Sequence, residues 1–77
     1  MSAFVLLQVS GGSTNVRTLH DELHAINGVK TVHFVAGPTD AILFLEAADE
    51  SELMRIVGEI RGKSGVASTD TRIVLSL

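Results

Sequence analysis

The stretch Ile26-Asn27-Gly28-Val29-Lys30-Thr31 decides the fold, because its pattern returns 37 residues later as Lys63-Ser64-Gly65-Val66-Ala67-Ser68. Each passage closes a segment of helical period, supplies a glycine suited to the end of a helix, and opens a run rich in β-branched residues. Two such passages in a chain of 77 residues indicate two β-α-β units that share one sheet.

Apolar residues recur at regular intervals in the segments around these passages. Apolar residues at helical spacing predict a helix over 14–27, capped by Ser13 or Thr14 and ended by Gly28. The same spacing predicts a second helix after Asp49, in a pattern that resembles a capping box, and Gly62 ends it. Apolar runs predict strands over 3–9, 29–36, 40–47 and 66–77.

The order βαββαβ predicts an α+β, ferredoxin-like fold: a four-stranded antiparallel sheet with two helices on one face. The alternation of side chains along each strand indicates whether the other face of the sheet is polar. In the first strand Val5 and Leu7 point one way and Phe4 and Leu6 the other, so neither side is polar. An antiparallel sheet with one wet face alternates more cleanly. We therefore expect the second face to pack sheet to sheet against another copy.

Composition indicates one domain over 1–77 and excludes several classes of protein. There is no cysteine, which excludes a disulfide framework, a thiolate nucleophile and a zinc ribbon. No run is long enough to span a bilayer and no signal peptide is recognisable, so we expect a cytoplasmic protein without a membrane partner. A net charge of −3, scattered Lys and Arg, and no Trp or Tyr argue against direct nucleic-acid binding.

Four segments could carry chemistry. His20 and His24 have metal-ligand spacing, but no third soft ligand is evident, so a solvated helix face is favoured. The Ser10–Thr14 segment lacks the lysine of a phosphate loop and is better interpreted as a connection. Asp40, in the Gly37–Asp40 loop, either accepts from a ligand ammonium or braces its own turn. The hydroxyls of 68–71 suit a small ligand or ordinary capping.

Taken in order, these segments resemble the effector-binding (RAM) domain of the Lrp/AsnC transcription regulators. Ala3-Phe4-Val5-Leu6-Leu7 resembles that family's first strand, and the Gly28-Val29 passage its helix-to-strand junction. Val35-Ala36-Gly37-Pro38-Thr39-Asp40-Ala41 is similar to its V-x-G-x-x-D loop, and Gly65-Val66-Ala67-Ser68-Thr69-Asp70-Thr71 to its passage into the last strand. The resemblance covers about residues 3–75.

The resemblance implies an oligomer, with sheet-to-sheet dimers joined into larger assemblies such as octamers, and a free amino acid as effector. It implies a ligand site made of Ala36, Gly37, Pro38, Thr39 and Asp40, joined by Ser68, Thr69 and Thr71 from the strand of a neighbouring subunit. It implies no cofactor, no metal and no catalytic residue. No helix-turn-helix is evident in 1–77, so we expect any effect on transcription to come through full-length, DNA-binding relatives.

Two alternatives stay open. One is a small enzyme of the dimeric ferredoxin-like barrel type, a monooxygenase or isomerase, with His33 or Asp40 as its base. The other is an assembly or adaptor domain without a ligand.

Overall fold

The chain folds as βαββαβ around one four-stranded sheet, which confirms the predicted fold class. The computed structural model describes residues 1–12 and 14–77. Its elements are β1 (Ser2–Val9), α1 (Val16–His24), β2 (Val29–Phe34), β3 (Ala41–Glu46), α2 (Glu50–Arg61) and β4 (Val66–Ile73). The sheet order is β2-β3-β1-β4, and every neighbouring pair is antiparallel.

Side-chain caps fix where the helices begin. The Asp49 carboxylate accepts the Glu52 backbone N–H at 2.8 Å, which is the first half of the predicted capping box. In α1, Asn15 is the cap and accepts from the Thr18 N–H at 3.0 Å. The prediction that Thr14 caps this helix is therefore wrong, because the Thr14 hydroxyl donates instead to the Ser10 carbonyl at 2.8 Å. The alternative cap, Ser13, lies outside the described residues.

The helix and strand ends differ from the prediction at two local turns and at the last strand. α1 ends at His24 rather than at residue 27, because the Ile26 N–H bonds the Leu23 carbonyl at 3.2 Å and turns Ile26 into the core. β2 ends at Phe34, and one further bond, from the Val35 N–H to the Asp40 carbonyl at 2.9 Å, closes the β2–β3 pairing before the turn at Gly37. β4 ends at Ile73, and one further bond, Val74 N–H to Ser2 carbonyl, reaches the start of β1.

The core lies between the sheet and both helices. Leu19 and Leu23 of α1 and Ile56 and Ile60 of α2 share one cluster with the inward side chains of β1 and β3. Gly28 and Gly65, which enter β2 and β4, have φ angles of +105° and +101°, a conformation that glycine adopts without strain. The repeated helix-to-strand passage is thus also a repeated backbone conformation.

The outer face of the sheet is apolar only along its two central strands. β1 and β3 place four apolar side chains there, and the rings of Phe4 and Phe44 lie 5.0 Å apart. The expectation that apolar residues extend across this face is wrong at its margins, because the register brings polar side chains of the edge strands to the same side. The apolar stripe consists of Phe4, Leu6, Ile42 and Phe44, and its margins of Thr31, His33, Ser68, Asp70 and Arg72.

Within the described residues, neither helix has the length and hydropathy to cross a bilayer.

Candidate functional site

The β2–β3 connection is tied to the end of β1 through Asp40. Its carboxylate Oδ2 accepts the Val9 backbone N–H at 2.8 Å, and its own N–H donates to the Leu7 carbonyl at 3.1 Å. One residue thus holds the loop by side chain and main chain together. Its second oxygen, Oδ1, has no hydrogen-bond partner in the part of the chain that the structure describes. Asp40 therefore braces its turn and retains one acceptor for another donor.

Gln8 provides a second tether, which the sequence reasoning missed. Its side-chain Nε2 donates to the Pro38 carbonyl at the tip of the loop. The preceding Gly37 has φ +143°, so this bend favours glycine. A single glutamine in an apolar strand does not indicate a loop contact from the local sequence, because its partner lies 30 positions away. Only the pairing of β1 with β3 brings the two residues together.

The structure brings the two predicted segments to the same end of the sheet but leaves β1 between them. Ser68 pairs with Gln8, Thr69 with Leu7 and Thr71 with Val5. The Gly37–Asp40 loop lies on the other side of β1, so the segments are separated by two strand spacings, roughly 10 Å. Ser68 shares the outer face with Gln8, whereas Thr69 and Thr71 share the helix side with buried Leu7 and Val5. One protomer alone does not join them into one pocket.

A cleft of about 530 Å³ lies beside the loop, between the end of β2 and the start of α1. Of the predicted site residues it contains Ala36 and Asp40, and among residues 1–12 and 14–77 Asp40 is its only ionisable wall residue. Most of its walls are apolar, and sequence reasoning did not find them. The walls that it did not find are Val9, Val16, Phe34 and Val35, and the lining is completed by Ser10, Gly11 and the predicted Ala36 and Asp40. An open cleft with apolar walls and one carboxylate suits a small amphipathic ligand.

A second cleft, of about 510 Å³, adjoins the first along α1 and shares Val16 and Phe34 with it. Here His20 Nδ1 lies 3.1 Å from Asp21 Oδ1, and the His20 and His24 rings stack with centroids 6.0 Å apart. Residues 1–12 and 14–77 hold no group of three or more metal-ligating side chains. The histidine pair is thus part of a helix surface rather than of a closed metal site.

The remaining predicted residues lie apart from this cleft. Ser68 and Thr69 border a separate depression of about 310 Å³ with Arg61, while Thr71 is exposed further along β4. His33 is exposed on the outer face opposite Ile42. It therefore does not line the cleft that contains Asp40.

An ion pair between Asp70 and Arg72 lies on β4. The Arg72 guanidinium donates to Asp70 Oδ2 at 2.8 Å, and both side chains are exposed. This hydrogen bond lowers the pKa of the Asp70 carboxyl and raises that of Arg72. The pair stays ionised at neutral pH.

Curated relatives include homocitrate synthases from Saccharolobus islandicus and Saccharolobus solfataricus. Each is 43% identical to this chain over 53 residues, which is 69% of the chain. The chain spans only 12% of the length of these relatives.

Solved structures match almost the whole chain. A protein from Thermus thermophilus superposes with a TM-score of 0.85 at 27% identity, covering 99% of this chain and 94% of that one. The feast or famine regulatory protein from M. tuberculosis, complexed with L-methionine, gives a TM-score of 0.82 at 26% identity. The match covers 99% of this chain and 50% of that regulator.

The family comparison agrees with the fold and the motifs. The model of the Lrp/AsnC ligand binding domain matches residues 2–77. The V-x-G-x-x-D loop and both Gly-Val passages lie within the match. The chain therefore belongs to the family of Lrp/AsnC ligand-binding domains.

Proposed function

We propose that this chain is an effector-binding module that takes a free amino acid with an uncharged, apolar side chain. The observation that carries the proposal is the cleft beside the β2–β3 connection. It combines apolar walls with Asp40 Oδ1, which has no hydrogen-bond partner among the described residues. The M. tuberculosis relative, complexed with L-methionine, supports the same ligand class.

The ligand's two charged groups need different partners. Its ammonium donates to Asp40, because a charge-assisted hydrogen bond to a carboxylate is the strongest contact that the cleft offers. Its carboxylate needs N–H and hydroxyl donors, which the Gly37–Thr39 backbone and the hydroxyls of Ser68, Thr69 and Thr71 provide. Since β1 separates those hydroxyls from the loop, they come from a neighbouring copy.

The side chain of the ligand lies against Val16, Phe34 and Val35, of which Val16 is 46% exposed and Val35 40%. Covering such residues is favourable by roughly 25 cal/mol per Å² of apolar surface. A charged side chain in the same place would lose its water without gaining a partner. Leucine, valine and methionine fit this chemistry, whereas lysine, aspartate and glutamate do not.

Self-association through the outer sheet face completes the proposal. The apolar stripe of Phe4, Leu6, Ile42 and Phe44 is bordered by polar side chains, as in an interface with an apolar centre and a polar rim. Two copies packed sheet to sheet would cover both stripes. Such dimers can join larger assemblies such as octamers, and can co-assemble with DNA-binding relatives that carry the same domain.

The module interpretation also accommodates the partial match to an enzyme. A segment similar to this chain occupies 12% of homocitrate synthases, and a similar domain occupies 50% of a regulatory protein. The shared property is the domain rather than the chemistry of either whole protein. We therefore propose a binding role, not a catalytic one, for this chain.

Isothermal titration calorimetry against the twenty amino acids tests the proposal. We expect heat from leucine, methionine and valine, and none from aspartate, glutamate or lysine. Asp40→Ala should abolish that binding, while the matched control Glu46→Ala, at the exposed opposite end of β3, should keep it. Absence of binding by any amino acid would favour the ligand-free adaptor. Binding with no preference for apolar side chains would refute the assignment of side-chain class.

A further inference from the structure

His20 and His24 lie one turn apart on α1, and His20 lines the second cleft. Their rings are nearly parallel, at 6°, with centroids 6.0 Å apart. His20 is half-buried and His24 is exposed, so both imidazoles are accessible from solvent. Imidazoles at positions i and i+4 share one helix face, which is the spacing that lets two side chains bind one metal ion.

The His20 ring is held on two sides, unlike that of an ordinary surface histidine. Its Nδ1 lies 3.1 Å from Asp21 Oδ1, and its centroid lies 6.4 Å from that of the Phe34 ring. An ionised carboxylate only accepts hydrogen bonds, so this contact keeps the proton on Nδ1 and leaves a lone pair on Nε2. Among the described residues Nε2 has no hydrogen-bond partner. A carboxylate orients metal-binding imidazoles in this way.

We propose that His20 and His24 bind one late divalent transition-metal ion, of the class of Zn²⁺ and Cu²⁺, at an open site on α1. Metal–nitrogen bonds of about 2.0–2.1 Å place two imidazole centroids roughly 5 Å apart on one ion. Rotation of the exposed His24 ring closes the difference from 6.0 Å. Within residues 1–12 and 14–77 no third ligating side chain completes the group, so water fills the remaining positions. Imidazole selects against Mg²⁺ and Ca²⁺, which prefer oxygen ligands.

This metal site is separate from the proposed effector site. The two clefts share Val16 and Phe34, but Asp40 lines only the first cleft and His20 only the second. Metal binding therefore needs no amino acid, and Asp40→Ala should leave it unchanged. The failure of either proposal is distinguishable from the failure of the other.

Isothermal titration with ZnCl₂ tests the proposal, because the chain has three histidines and no cysteine. We expect saturable binding of one Zn²⁺ per chain and no heat from Mg²⁺. His20→Ala and His24→Ala should each weaken Zn²⁺ binding about a hundredfold or more, since even an outer partner of a ligand contributes about 10–100-fold. Both changes favour the helix, because alanine is the best helix former.

The matched control for the two histidines is His33→Ala, at an exposed position of β2. It removes an imidazole outside the pair and should leave the affinity for Zn²⁺ unchanged. Equal losses in His20→Ala, His24→Ala and His33→Ala, or no saturable binding by the unmodified chain, would overturn the proposal.

A relocated histidine tests the spacing while the number of histidines stays the same. In the double variant His24→Ala/Ala25→His the second ring moves about 100° further around the helix. Ala25 keeps helical backbone angles, so the fold tolerates the exchange. The affinity for Zn²⁺ should stay as low as in His24→Ala. Recovery of the original affinity would show that the i, i+4 geometry is not needed, and would contradict the site.

Asp21 is the positioning residue of the site, and its effect is separable from that of charge alone. Asp21→Ala removes the acceptor of His20 Nδ1 and should weaken Zn²⁺ binding about 10–100-fold. Glu22→Ala removes the same charge from the next position of α1 and should leave the affinity nearly unchanged. If both variants weaken binding equally, Asp21 acts only through its charge, and its assignment as the orienting carboxylate is wrong.

Discussion

Asp40 stabilises the β2–β3 connection of the chain even without a ligand. Its carboxylate accepts the partly buried Val9 N–H at 2.8 Å, so Asp40→Ala leaves that donor without a partner. We expect the free energy of unfolding to fall by about 1–2 kcal/mol, measured by urea denaturation. Asp40→Asn keeps an oxygen acceptor, so its free energy of unfolding should fall less. Glu46→Ala is the control. An Asp40→Ala chain as stable as the original would show that this hydrogen bond does not brace the loop.

Asp70 offers a titration test. Because Arg72 lowers the pKa of its carboxyl in the folded chain, the ion pair stabilises the fold above the ordinary pKa of aspartate. That contribution disappears as the pH falls through the lowered pKa. Side-chain NMR titration should place the pKa of Asp70 below its ordinary value, and Arg72→Ala should return it toward that value. An unchanged pKa in Arg72→Ala would mean that another group causes the shift.

At the scale of elements, the turn before β2 holds α1, β2 and α2 together. Gly28 has φ +105°, and a Cβ at this position would overlap Ile56 Cδ1 of α2 and lie 3.2 Å from the Glu46 carbonyl. Gly28→Ala should therefore lower the free energy of unfolding by about 2–4 kcal/mol, from left-handed backbone strain and overpacking together.

Gly11→Ala is the matched control for that substitution, because a Cβ there meets nothing within 4 Å. In thermal denaturation Gly28→Ala should unfold at a clearly lower midpoint temperature than Gly11→Ala. Equal midpoints would show that the turn can shift to admit a methyl group.

Sequence predicted the elements well where the signal was local. Some residues act within a few positions of their own place in the chain, and their effect can be predicted from the local sequence. Examples are the capping residue Asp49 and the junction glycines Gly28 and Gly65. The ends of α1, β2 and β4 were predicted less well. Those of α1 and β2 lie at turns whose hydrogen bonds span only three to five residues, whereas the last bond of β4 depends on a distant partner. For β4 that partner is Ser2, more than 70 positions away, whose carbonyl takes the last inter-strand hydrogen bond.

The whole molecule explains why the candidate site was predicted only in part. The motif located the Gly37–Asp40 loop, but the apolar walls around it come from β1, β2 and the start of α1, which only folding brings together. The hydroxyls of β4 lie across β1 from the loop. Whether they join a ligand site depends on a second copy, and no pattern within a single chain encodes that geometry.

The apolar stripe makes the assembly itself testable. Phe4 is 42% exposed at the centre of the outer face, where its ring packs against Phe44. In a sheet-to-sheet dimer Phe4→Glu would place a carboxylate from each copy in the apolar centre of the interface. Its neighbour on β4, Arg72, is already paired with Asp70, so we expect a cost of several kcal/mol. Since about 1.4 kcal/mol corresponds to a tenfold change in affinity, the dimer should weaken about a hundredfold or more. Light scattering should then give a smaller mass, with the far-UV spectrum unchanged.

Met54→Glu, on α2 and 59% exposed, should leave the mass unaltered. If Phe4→Glu retains the original mass, the outer face is not the dimer interface.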